Sequence, residues 1–206
     1  MTTATDRLVW IDCEMTGLDL EKDQLVEIAV VVTDYDLNLV DPGLDIVIAA
    51  DDDALEQMGD FVREMHTESG LIDEIPHGVS VADAERQTLE YLSKYIPEGQ
   101  RPPLAGNTIG TDRAFLAKFM PTLDGQLHYR SVDVSSIKEL SRRWYPRVYF
   151  AAPEKNGGHR ALADILESIR ELDYYRRAVF VPEPGPSSVQ AKDVAASVVS
   201  SHAAQM

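Results

Sequence analysis

The chain carries a single cysteine, Cys13, so no intramolecular disulfide can form among its 206 residues. Cys13 lies in an apolar stretch, which points to a buried, inert thiol rather than a nucleophile. Basic residues are scarce: 19 Lys and Arg stand against 35 Asp and Glu, for a formal net charge of −16. Residues 34–56 alone hold eight acids and no Lys or Arg, which reads as a solvated face. A surface this acidic does not hold a long duplex by general phosphate attraction. It still admits a short nucleic acid bound by a local basic pocket and a metal ion. No apolar run approaches the ~20 residues of a membrane span, and residues 1–7 contain no signal-peptide core. The expectations are no membrane partner and cytoplasmic residence. No internal repeat is visible.

The rest of the chain is organised around Leu8-Val9-Trp10-Ile11-Asp12-Cys13-Glu14-Met15-Thr16-Gly17. Leu8 to Ile11 are apolar, with the β-branched and aromatic residues that favour a strand. Two carboxylates then follow. Residues two apart on a strand share a face, so Asp12 and Glu14 project side by side. Like charges this close raise each other's pKa, and a cation between them removes the cost. Hard oxygen ligands suit Mg²⁺ or Mn²⁺. The alternative is a strand that ends at Ile11 and two solvated loop acids, the commoner state of Asp and Glu.

Residues 24–33 (QLVEIAVVVT) form a second strand candidate, with Asp34-Tyr35-Asp36 as its turn. Residues 37–40 and 44–49 suggest a third, broken by Asp41-Pro42-Gly43. Residues 51–60 open a short helix, and His66-Thr67-Glu68-Ser69-Gly70-Leu71 reads as a polar loop. Residues 80–96 are the clearest helix, capped by Ser80, with Ala84, Leu89, Leu92 and Ile96 at helical spacing. A short strand and turn end at Asn107. A helix over 111–120 puts Asp112 on the same face as Phe115, Leu116 and Phe119. A core-facing carboxylate needs a partner, but Asp112 also suits a place near a helix N-terminus. Both readings stay open.

Residues 128–133 read as a strand entering a helix at 135–144. Arg130, Lys138, Arg142, Arg143 and Arg147 make this the one basic region of the chain. Asn156-Gly157-Gly158 is a flexible loop. The last helix begins at Ala161, with Leu162, Ile165, Leu166, Ile169 and Leu172 as its stripe. Asp164 falls opposite that stripe, on the solvent side. From Pro182 the composition shifts to Pro, Ser, Ala and Val, which reads as a mostly disordered tail. The division is a domain over residues 1–181 and a tail over 182–206. Three antiparallel strands leading into alternating strands and helices indicate an α/β domain with a central mixed sheet flanked by helices, a layout that suits a ribonuclease-H-like fold.

Asp12, Glu14, Asp112, and His159 and Asp164 in HRALAD are the residue types that phosphodiester hydrolysis needs. Carboxylates hold a pair of metal ions for an in-line displacement, and a histidine with its pKa near neutrality serves as general base. In order and type these residues resemble the DEDD exonucleases in their histidine-bearing branch. WIDCEMTGLD, HTESGL, GNTIGTDRAFL, HYRSVDVSSIKELSRRW and GGHRALADI bring residues 7–180 closer still to the oligoribonuclease family. The resemblance implies a homodimer with two divalent ions, Mg²⁺ or Mn²⁺, that removes 5′-mononucleotides from the 3′ end of very short RNA. It implies Asp12, Glu14, Asp112 and Asp164 as metal ligands and His159 as the base. It further implies Leu18 as a wedge between two bases and Phe61 as a stacking platform, where the family commonly has Trp. His66 is implied to touch the nucleotide. Thr108, Arg130, Ser135 and Ser136 are implied near the far phosphate of a dinucleotide, and Tyr129 across the dimer. A DnaQ-like proofreading DNA exonuclease shares the catalytic five, but the HTESGL and HYRSVDVSS blocks favour the RNA enzyme. A non-catalytic module would be expected to have lost a ligand or the base, and none is missing.

Overall fold

The structure is a computed structural model that describes residues 6–155 and 158–203. Its strands are β1 (Arg7–Met15), β2 (Leu25–Asp34), β3 (Leu44–Val47), β4 (Pro103–Gly106) and β5 (His128–Asp133). They form one sheet in the order β3-β2-β1-β4-β5, with β1 at its centre. The first three strands are antiparallel, while β4 and β5 run parallel to β1 and to each other. A parallel neighbour requires a crossover. Four α-helices intervene before β4: α1 (Asp52–Glu56), α2 (Asp60–Glu68), α3 (Leu71–Glu74) and α4 (Val81–Ser93). Then α5 (Gly110–Phe119) and α6 (Pro121–Gln126) lead to β5, and α7 (Val134–Trp144), α8 (Pro146–Phe150), α9 (Ala161–Val179) and α10 (Ser188–Ala203) complete the described chain. The fold is α/β with a mixed sheet between helices, as the sequence led us to expect.

Side-chain alternation along β1 sets up the site. Val9, Ile11, Cys13 and Met15 pack with residues of β2, α4 and α5 on one face. Leu8 and Trp10 point to the other face, against Ala161, Ile165, Ile169, Leu172 and Tyr175 of α9. Asp12 and Glu14 continue that second row. It is therefore α9 that meets them, and α9 carries Asp164.

Four sequence expectations are corrected here. Residues 37–40 contribute only a bridge between Thr33 and Leu39 rather than part of a strand. HTESGL is no loop: it is the end of α2, a left-handed turn at Gly70 (φ +78°) and the start of α3, whose Leu71 is fully buried. Residues 188–203 form α10, because the run after Pro186 contains neither Pro nor Gly. None of its residues is buried. The stripe of α9 is rotated from the apolar pattern: Leu166 is 41% exposed, whereas Glu167, Ser168 and Glu171 are buried. The helix packs on a polar surface as well as on the sheet. Of the proposed flexible loop, Asn156 and Gly157 lie outside the described residues.

Candidate active site

One ligand oxygen each from Asp12, Glu14 and Asp164 lie within 4.8 Å of one another. The first two come from the C-terminal half of β1, the third from the first turn of α9. Asp164 is half-buried rather than solvent-facing. Asp112, on α5, is 7% exposed and lines the same cavity of about 510 Å³. Its Oδ1 accepts the Cys13 amide at 3.0 Å, so it ties α5 to β1 as well as facing the other acids. It caps no helix end: α5 starts two residues earlier and its N-cap is Ile109.

Crowding and burial raise the pKa of each of these carboxylates, which favours a cation among them. Burial, then the charges of Asp112, Glu14, Asp164 and Glu27, hold Asp12 well above the usual carboxylate range. Burial and the charges of Glu27, Asp164 and Asp112 push Glu14 up to about 8, with Arg160 opposing. Burial raises Asp112 to about 6 against the amides that it accepts. Asp164 is raised by burial and Glu167, with His159 and Lys155 offsetting. Hard oxygen donors with crowded negative charge fit a divalent ion of the Mg²⁺ or Mn²⁺ kind. The thiol of Cys13 is buried and its pKa is raised, as expected for an inert cysteine.

This predicts a pH-dependent stability with a definite sign. The folded state binds protons at Glu14 and Asp112 more tightly than the unfolded chain, so metal-free protein should lose stability as pH rises from 4.5 towards 8. A divalent ion replaces those protons. Calorimetry of chelator-treated protein should therefore find that Mg²⁺ or Mn²⁺ raises Tm more at pH 8 than at pH 6. An equal shift at both would mean that the ion binds elsewhere.

His159 lines the cavity from an exposed position, with its backbone in the left-handed region (φ +45°). Leu18 lines it too and is 75% exposed; Phe61, on α2, is 78% exposed. His66 is fully buried and its Nε2 bonds the Met15 carbonyl at 2.9 Å. A nucleotide contact by His66 requires α2 to move. Thr108 and Ser135 meet at 3.0 Å between their hydroxyls and, with Ser136, line a neighbouring depression at the start of α7. Arg130 is exposed, its guanidinium 5.4 Å from the centre of the exposed Tyr129 ring.

Several residues at the site were not anticipated. Asn107 donates to Ser168 and Glu171 and accepts from Ser135, which links the depression to α9. Glu171 also pairs with Lys138 at 3.0 Å and with Lys155, a cavity residue, at 3.1 Å. Asp133 caps α7 by accepting the Ser135 amide and also accepts that of Thr108. A signal for part of this was present: Asp164, Glu167, Ser168 and Glu171 recur at helical spacing, a polar stripe beside the apolar one.

Fold and site together define a nuclease, and comparison with known proteins makes the class definite. A family described as Exonuclease matches residues 9–172. Solved structures of exonuclease I share the fold. That of Escherichia coli with an oligonucleotide superposes with a TM-score of 0.63 at 14% identity, over 85% of this chain and 41% of that one. That of Methylocaldum szegediense gives 0.60 at 18% identity, over 85% and 41%. Sequence relatives are far nearer. The oligoribonuclease of Leifsonia xyli is 69% identical over the full length of both chains. Those of Streptomyces griseus (61% over 93% of this chain and 95% of the relative) and Mycobacterium tuberculosis (58% over 97% and 94%) follow. The chain belongs to the oligoribonuclease family.

Proposed function

We propose that this protein is a 3′-to-5′ exoribonuclease that hydrolyses very short RNA, dinucleotides above all, to 5′-mononucleotides. The observation that carries the reading is the convergence of Asp12, Glu14 and Asp164, with Asp112 beside them. These four would hold two divalent ions, Mg²⁺ or Mn²⁺. When bound, such ions activate water and stabilise the leaving oxygen of an in-line displacement. His159, at the exposed rim of the cavity, takes a proton from the attacking water as general base.

Leu18 and Phe61 offer two apolar surfaces to the bases. Stacking is worth about 1–3 kcal/mol per base, and the Phe ring supplies less area than the family's Trp. Thr108, Ser135 and Ser136 receive the far phosphate, with Arg130 as its cation. Tyr129 completes this end from the partner protomer of a homodimer, and His66 holds the Met15 carbonyl behind the site, reaching the nucleotide itself only if α2 moves. We place the enzyme in the cytoplasm and the boundary of the exonuclease domain near residue 181, with the remainder as an appended tail. Among the described residues no helix is long and apolar enough to cross a membrane.

Length selectivity tests this reading. An acidic chain repels a long polyanion, and a cation on the second phosphate acts best when that phosphate is terminal. A 5′-phosphorylated diribonucleotide should have a far higher kcat/KM than longer RNA or duplex. Arg130→Ala should lose about 1.5–3 kcal/mol of binding, the scale of a charged hydrogen bond, and narrow the gap. A wild-type enzyme indifferent to length, or a variant with unchanged selectivity, removes Arg130 from the phosphate site.

A further inference from the structure

Glu27 is a buried acid that the mechanism above does not use. It lies on β2, fully buried, directly opposite Glu14 in the β1–β2 register. Both of its oxygens are occupied. Oε1 accepts from Arg160 Nε at 2.7 Å, and Oε2 accepts from the Ala161 amide at 2.8 Å. The far end of the Arg160 fork closes on Glu74 of α3, with Nη1 and Nη2 at 3.0 and 2.9 Å from its two oxygens. The residue next to His159 is thus fastened to a central strand and to a helix at once, while the next amide along fastens the start of α9.

His159 needs such fastening. Its φ of +45° is a left-handed conformation that costs free energy in a residue with a Cβ. It persists only where the surroundings over-determine it. On its N-terminal side the described residues Pro153, Glu154, Lys155 and Gly158 are exposed, tied at the Glu154 carbonyl by Arg170 and at the Lys155 side-chain tip by Glu171. On its C-terminal side stands the Glu27–Arg160–Glu74 cluster. A buried carboxylate is costly unless paired and hydrogen-bonded, and Glu27 stands directly opposite another acid, Glu14. A stretch built only for packing would place an apolar residue there.

We infer that Glu27 and Arg160 form a positioning clamp that holds His159 at the carboxylate cluster, anchored on the strand beside Glu14. This rests on the reading of His159 as the base. Glu27 and Arg160 are positioning residues: they act through His159.

The test uses the full chain with Mn²⁺ and a diribonucleotide. In Glu27→Gln the amide supplies one acceptor oxygen where two donors need one each, so Arg160 or Ala161 loses its partner. The double variant Glu27→Gln, Arg160→Gln removes both charges of the clamp together, so neither is left without the other, and guards against loss of the fold. Each should lower kcat about 10–100-fold, with KM changed by less than about threefold. In a His159→Ala background the same changes should cost less than about twofold, because there is no base left to misplace. Amide hydrogen exchange at residues 159–161 should accelerate in both variants, with the β1 and β2 amides unchanged. Equal losses with and without His159, an unchanged kcat in the folded double variant, or unchanged exchange at 159–161 would overturn the clamp. If wild type and His159→Ala hydrolyse the substrate equally, the assignment of the base fails. The exchange measurement then still decides whether the clamp holds that backbone.

Discussion

Asp164→Ala is expected to leave a folded protein with no measurable hydrolysis of a diribonucleotide. The carboxylate oxygens of Asp164, Asp12 and Glu14 lie within 4.8 Å of one another, so removing one opens the cage on a side that no other residue of that group covers. The variant should not be less stable than wild type in the absence of metal. Two unit charges about 4 Å apart repel by roughly 4 kcal/mol at the effective dielectric of a protein surface, and Asp164 is one of the charges that raise Asp12 and Glu14. Asp12→Ala should behave alike, with the larger gain in metal-free stability because Asp12 is more deeply desolvated. The check is a pair of measurements on each variant: turnover with saturating Mn²⁺, and Tm after chelation. Near wild-type turnover would remove that carboxylate from the site. A large fall in metal-free Tm would make it a structural acid instead.

His159→Ala should reduce kcat by about 10²–10⁴-fold, the range for a positioned general base. Metal binding should survive, because none of the three clustered oxygens belongs to the histidine. The side chain is exposed at the cavity rim and packs into no core cluster, so Tm should change little. Calorimetric titration with Mn²⁺ alongside steady-state kinetics separates the two roles. An unchanged rate would exclude His159 as the base, and a lost Mn²⁺ isotherm would make it a ligand.

How legible was this site in the sequence? The strand and its two acids were, because the apolar-to-acidic switch after Ile11 occurs within a period-two pattern that the sheet then imposes. Asp112 was half legible. Its spacing to Phe115 and Leu116 put it on the buried face, and the Cys13 amide is the partner that such a carboxylate requires. Asp164 was misplaced by periodicity and placed by resemblance. Its helix buries Glu167, Ser168 and Glu171 beside the apolar row, and a reading that counts only apolar residues aims such a helix wrongly. HTESGL reads as a loop because its residues are polar, whereas His66 and Leu71 are buried inside consecutive helices. The contacts that bind the site together, Asn107 to Ser168 and Glu27 to Arg160, join residues 61 and 133 positions apart. No local pattern encodes pairings of that range; they exist only once the sheet has fixed β2, β4 and α9 side by side.

The central claim is that clustered carboxylates at the end of β1 drive metal-dependent cleavage of very short RNA. A single-turnover assay on a 5′-phosphorylated diribonucleotide, run with excess EDTA and then with Mg²⁺ or Mn²⁺ restored, tests it most directly. No cleavage is expected under EDTA, and with either ion 5′-mononucleotides should appear as the sole products. Cleavage that persists at an undiminished rate under EDTA, or a metal-loaded enzyme that leaves the diribonucleotide intact, would contradict it.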